Sequence, residues 1–468
     1  MSNHAASLKA NPPSSPHRAV TPAPGSRPRL PSVRRGSVRA LLFLCAGAAV
    51  AAALLPAAAF AQKRTAVAGV HVIDLEDGAI ADDQTLLIRD GFIEGIFRTV
   101  LASVPPSYEV VPGDGLYVLP PLVDVSLYHD LAPTGSGGSE GRTASEEISA
   151  DLARHGILCT LVPGPGADSS EAEAAKLHCY PTGPLFEPSP GFAPAWNTHP
   201  HLVFLEDRVP LESQLREIMP VNAPLAVMGI RVPAPLALRV AQAAARQELG
   251  TLMPASTLRS GTEGILRSGV QVVESLGLAA LGFAYPEGMA VLFQDGPPSF
   301  DEEPTASHLA ALALERIPIG VLDSLAAATP DVEKLLTGLA STPVLCPELW
   351  VFESELSRRG YAGALPDSLR ALLRRLQTAG VPLVVGTGGG GGEAYHREID
   401  LWRRAGIPPH EILRAACVTG GALLGRPGVA RLKAGLPADL VFVEGNPLVD
   451  LKALRDVRLV VKDGVLHR

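Results

Sequence analysis

The chain is short of aromatic residues, which make up 5% of its 468 positions, and short of charge, with 19% Asp, Glu, Lys and Arg. Sparse charge beside 47% hydrophobic residues excludes a disordered chain, and 46 Gly and 43 Pro without a repeating period exclude a fibrous one. No basic stripe interleaves with aromatics. The formal charge is −8, yet the first 61 residues hold Lys9, Arg18, Arg27, Arg29, Arg34, Arg35 and Arg39 and no acid, so the remainder stands at −15. Such a surface repels phosphate backbones and argues against nucleic acid as a partner. There is no C-x-x-C and no G-x-S-x-G nucleophile elbow. The glycine run Gly388 to Gly392 lacks a Lys-Ser/Thr pair or a dinucleotide-binding context, and reads as a loop rather than an anion cradle.

What is present begins with a targeting segment. Residues 1–33 are rich in Pro, Ser and Ala without apolar periodicity, the composition of a disordered extension. Residues 34–61 read as a signal peptide: Arg34 and Arg35, the apolar run Ala40 to Ala58, then Ala59-Phe60-Ala61 as an A-x-A cleavage site. This predicts export to a periplasmic or secreted location, with membrane attachment only if the segment stays uncleaved. Cys45 sits inside the apolar run as a hydrophobe. The four remaining cysteines, Cys159, Cys179, Cys346 and Cys417, read as small buried side chains rather than a disulfide framework.

Residues 62–118 have the texture of short strands with turn punctuation, including Asp90-Gly91 as a hairpin turn, and the same texture returns over 426–468 with a second Asp-Gly pair. Between them, over 119–425, apolar runs of four to seven residues alternate with helical stretches, as in ISADLARHG-ILCTLVPG and LRALLRRLQTAG-VPLVVGTG. Helix, Gly, buried strand is the rhythm of a parallel α/β body. The two β segments therefore predict one small β-sandwich, with Thr85 to Phe97 pairing with the Val457 to Leu466 hairpin, since neither buries a face alone.

The stretches TLLIRDGFIEGI, LYVLPPLVDV, ARHGILCTLV, VPLVVGTG, AYHREIDLWRRAGIPPHEILRAACVTGGALLG, ARLKAGLPADLVFVEGNPLVD and VRLVVKDGVLH follow one another in order. Through them the chain resembles the amidohydrolase superfamily, especially its imidazolonepropionase- and prolidase-like branch, from Val67 to Arg468. The resemblance implies a (β/α)₈ TIM-like barrel with a composite β-sandwich. It also implies one or two divalent metals at the C-terminal strand ends, which lower the pKa of a water and polarise a carbonyl.

Carried onto this sequence, the family's ligand positions hold other residues. The His-x-His after strand 1 becomes Ser126 and Tyr128, and strand 4, LAVMGIRV, has no lysine. The strand 5 histidine position falls on Met253 or Pro254. Strand 6 ends in a serine by either of two assignments, Ser275 in VVESL or Ser324 in VLDSL, and the strand 8 aspartate becomes Gly388. Ser, Tyr, Met and Gly do not deprotonate water at neutral pH. The implied protein is a degenerate member without a cofactor, which binds a small polar ligand or a protein partner at a neutral barrel mouth. The alternative is an active hydrolase of C–N bonds, either with zinc on an unconventional set such as His129, Asp207 and His396, or independent of metal. Of the residual polar residues, His129-Asp130 and Glu206-Asp207 lie at the catalytic end of their strands, and His199 and His201 lie at the opposite, stability end. His396 and Glu398 open a helix, where capping and packing account for them.

Overall fold

Two Asp-Gly pairs set the geometry of the chain ends. Asp90 and Gly91 have φ of 53° and 86°, Asp463 and Gly464 of 51° and 74°, so each pair forms the two-residue turn with both central φ positive that matches strand twist. The first joins β2 (Ile80–Arg89) to β3 (Phe92–Arg98), and the second joins β16 (Val457–Lys462) to β17 (Val465–His467). The computed structural model describes residues 64–126, 144–162, 177–182, 185–188, 202–205, 209–219, 223, 225–229, 232–255, 258, 261–284, 317–339, 343–426 and 428–467. The chain divides into residues 1–61 and 62–468, and all described residues belong to the second unit. The signal segment, Tyr128, His129, Asp207, His199 and His201 lie outside the described residues.

The two ends of the chain share one eight-stranded sheet. With β1 (Arg64–Ile73), β5 (Leu116–Leu119) and β15 (Leu440–Glu444), its order is β17-β16-β15-β5-β1-β2-β3, and β4 (Glu109–Pro112) pairs with β1. The two hairpins do not pair strand to strand as the sequence suggests, because β15, β5 and β1 lie between them. They meet through residues 435–438 instead: Ile93 N–H donates to Leu436 O, Gly435 N–H to Ile93 O and Ala438 N–H to Gly91 O. Val67, Val70, Leu86, Ile88, Val118 and Phe442 fill the sheet's own apolar core, separate from the main one.

β5 runs through Pro120-Pro121 straight into β6 (Leu122–Asp124), which begins the parallel strands. β6 pairs with β7 (Ile157–Val162), and β7 with β8 (His178–Pro181). A second parallel sheet has the order β10-β9-β11-β12-β13-β14, where β9 is Leu185–Pro188, β10 Leu202–Leu205, β11 Leu225–Met228, β12 Gly250–Pro254, β13 Val270–Glu274 and β14 Val344–Cys346. Residues 383–385 bridge the two sheets, since Leu383 pairs with Leu345 and Val125 N–H donates to Val385 O. Among the described residues no closed barrel forms; two parallel arcs meet at this seam.

Helices pack outside the arcs. They include α1 (Ala144–Arg154), α2 (Leu211–Ile218), α3 (Ala234–Ala245), α4 (Leu276–Ala284), α5 (Leu322–Ala327), α6 (Thr329–Thr337), α7 (Leu349–Arg358), α8 (Leu365–Thr378) and α9 (Gly391–Arg404). α8 shows why: Leu365, Leu369, Leu372, Leu373 and Leu376 recur at helical spacing and all are buried, while its arginines face outward. One continuous core runs from Leu122 through Val272, Leu345 and Trp402. No helix among the described residues is long and apolar enough to cross a membrane. All four described cysteines are free thiols, and Cys159, Cys346 and Cys417 are buried.

Candidate functional site

Parallel strands all present their C-terminal ends to one face, so the residues just past β6, β13, β14 and residue 385 gather there. Asp124 ends β6 wholly buried. Its carboxylate accepts from Ser126 N–H at 3.0 Å, from Thr387 N–H at 3.1 Å and from the Thr387 hydroxyl at 2.6 Å. Burial pushes its acidity toward the protonated form against these hydrogen bonds. Asp124 thus ties the first parallel strand to the turn that follows the last.

The Ser126 hydroxyl donates to Glu348 Oε1 at 2.5 Å, and both residues are buried. Glu348 reaches it from just past β14, held in the left-handed region at φ 50° immediately before α7. Glu274 ends β13 beside them, and the donor atoms of Glu274, Cys346 and Glu348 all lie within 4.8 Å of one another. The strand ends are fixed in this register because Ser275 N–H donates to Cys346 O at 2.8 Å and Leu276 N–H to Pro347 O at 2.9 Å. Burial pushes the Glu348 carboxyl well above its ordinary range, and the Glu274 charge adds to the shift. The Cys346 thiol rises likewise, first from burial and then from Glu348. Gly386 lets the last strand pass: a Cβ there would stand 2.5 Å from Cys346 Sγ and 2.6 Å from Ser126 Cβ.

Glu398 supports the cluster from α9. It accepts from Trp350 N–H at 2.8 Å and from the Trp402 indole at 2.7 Å, while the Trp350 indole donates to Thr387 O at 2.9 Å. Burial raises the Glu398 carboxyl to about 7, opposed by these donors. The start of α7, α9 and the glycine turn with Gly388 at φ 60° are thereby one hydrogen-bonded unit.

Of the residues singled out in the sequence, Ser126, Ser275 and Gly388 lie at this strand-end face, and Met253 is buried on β12, in register with Val273 of β13. Ser324 does not belong there. VLDSL is helical: Ser324 stands exposed in α5, whereas VVE closes β13 between β12 and β14, so Ser275 is the residue just past strand 6. His396 lies instead between α9 and α1, its ring centroid 5.0 Å from that of His155. The expected neutral mouth holds buried carboxyls. Glu274 was legible as the residue before Ser275, but Glu348 carries no sequence signal, because only the αL turn after Cys346-Pro347 swings it back across 222 residues to Ser126.

Neither a protein-family model nor a curated protein matches this sequence. Solved structures do. A prolidase candidate from Bifidobacterium longum is 18% identical with a TM-score of 0.60, covering 86% of this chain and 94% of that one. The A. niger ochratoxinase is 16% identical with a TM-score of 0.58, covering 86% and 95%. A bottromycin amidohydrolase is 18% identical with a TM-score of 0.57, covering 86% of each. The chain shares their fold. At this identity the likeness carries architecture and not chemistry, which has to be argued from the side chains.

Proposed function

We propose that the chain is an exported amidohydrolase-superfamily protein with a (β/α)₈ barrel, whose mouth binds a small polar ligand or a protein partner and does not run metal-dependent hydrolysis. One observation carries this reading: at the strand 1 position where the family's metal-binding histidine is expected, Ser126 donates a 2.5 Å hydrogen bond to the buried Glu348. The donor set does not fit the family's metals. Ser126, Met253, Ser275 and Gly388 supply neither imidazole nor carboxylate at the matched positions, and Glu274, Cys346 and Glu348 come from strands 6 and 7 alone, with carboxyl and thiol biased toward their protonated forms. The Ser126–Glu348 bond ties the ends of the first and seventh strands together at the expected metal position of strand 1, and it leaves hydrogen-bonding groups rather than a Lewis acid to meet a ligand.

A second reading has its own support. Two neighbouring buried carboxyl groups can serve as general base and general acid for amide hydrolysis without metal, and Glu348 and Glu274, with oxygens within 4.8 Å and the Glu274 charge helping to raise the Glu348 carboxyl, are the pair placed for it. Assay of the full chain against Xaa-Pro dipeptides and N-acyl amino acids, with and without added zinc or manganese, separates the two. No turnover under any condition is the expected result. Metal-stimulated turnover contradicts the proposal, and metal-independent turnover, strongest in acid and lost in Glu348→Gln, selects the second reading.

A further inference from the structure

His155 and His396 meet between α1 and α9, away from the strand-end cluster. His396 is 3% exposed, and its Nε2 is buried without a hydrogen-bond partner among the described residues; His155 Nδ1 is in the same condition. Two orphaned imidazole nitrogens on rings 5.0 Å apart are uncommon, because a buried polar atom without a partner costs its full desolvation. The contact is also built. His155 lies so close over α9 that a Cβ on Gly392 would stand 2.2 Å from its ring, and Gly392 N–H holds the Asp151 carboxylate at 2.9 Å. That carboxylate faces the other nitrogen of His155, Nε2, at 3.6 Å. A histidine with one nitrogen toward a carboxylate and the other bare has the arrangement of a metal ligand with its outer partner.

We propose that this α1–α9 contact takes one divalent transition-metal ion of the zinc and nickel class, ligated by His155 Nδ1 and His396 Nε2, with Asp151 orienting His155. Water completes the coordination, and imidazole donors select this class over magnesium or calcium. The ion pins the helix after the first parallel strand to the helix after the last, across the seam where Val125 bonds Val385. Its role is structural, and it is independent of what the strand-end cluster does.

The test is calorimetric titration of the full chain, freed of metal, with zinc and nickel chlorides, together with the absorption spectrum on cobalt addition. One ion per chain is expected, with a rise in melting temperature and a cobalt spectrum that shows nitrogen ligation. His155→Phe and His396→Phe each abolish binding while far-UV circular dichroism stays unchanged, and Asp151→Asn weakens it roughly 10- to 100-fold. Glu348→Gln and His178→Ala, which alter the two other groups of clustered donors, leave it intact. Absence of saturable binding, or binding that survives His396→Phe, overturns the proposal. If the phenylalanine variants do not fold, the Asp151→Asn titration decides: unchanged affinity overturns it.

Discussion

The strand-end cluster and the α1–α9 contact bury ionisable groups in opposite senses. At the strand ends Asp124, Glu348 and Glu398 are acids pushed up by burial, while between the helices His396 is a base pushed down by it. Both sites therefore favour the uncharged form, yet they answer pH with opposite signs. A buried acid with a raised folded pKa stabilises fully below its unfolded pKa, and that stability is lost as pH rises through the folded value. A buried histidine with a lowered pKa stabilises fully above its unfolded pKa near 6.5, and that stability is lost as pH falls toward about 3. The difference shows that burial disfavours charge in both places, but a hydroxyl pairs with the carboxyl at one and nothing among the described residues pairs two imidazole nitrogens at the other.

Glu398 is where the two regions join, since it lies on α9 two residues after His396 and holds the start of α7. Glu398→Leu strands the Trp350 N–H and the Trp402 indole without acceptors, and we expect a loss of about 3 kcal/mol at pH 6, read by urea unfolding. A loss under about 1 kcal/mol would separate the two regions energetically. His396→Phe removes the acid-side liability: its stability relative to the parent, in metal-free buffer, should improve by up to about 1.4 kcal/mol per pH unit between pH 6.5 and 4. A constant difference across that window would contradict the assignment. Glu348→Gln acts on the alkaline side. The parent should lose stability from pH 5 to 8 more steeply than the variant, by roughly 1 kcal/mol over the window, and parallel curves would mean that the fold does not raise the Glu348 carboxyl. The smallest effect belongs to the exposed Arg431–Glu76 pair, 2.8 Å apart on the surface, where Arg431→Ala should change stability by less than about 0.5 kcal/mol.

Much of the architecture was legible because it rests on local rules. The Asp-Gly turns follow from which residues tolerate positive φ, and the α/β rhythm from Gly between amphipathic helices and short apolar runs. The serine at strand 6 was ambiguous because VVESL and VLDSL have one apolar pattern. What separates them is non-local: VVES has β12 and β14 to pair with, and Ser324 does not. The same limit hid the cluster. Ser126 and Gly388 could be placed as strand-end residues, but the carboxyl that meets Ser126 comes from a residue whose neighbours, Pro347, Leu349 and Trp350, read only as a helix start. His155 carried no signal, and His396, singled out as a candidate ligand, gave no sign of its partner, since nothing local to either predicts that α1 and α9 adjoin at the seam.

We propose that the mouth lacks the donors for a hydrolytic metal although the chain shares the fold of amidohydrolases. Zinc titration followed by thermal melting tests it most directly, on two chains that both carry His396→Phe so that the helix contact contributes nothing. One is otherwise unchanged, and the other also carries Ser126→His, Tyr128→His and Gly388→Asp. A ligand that binds only the folded state raises the melting temperature. The account predicts a zinc-dependent rise in the second chain and none in the first; a rise in the first that Glu348→Gln abolishes would contradict it.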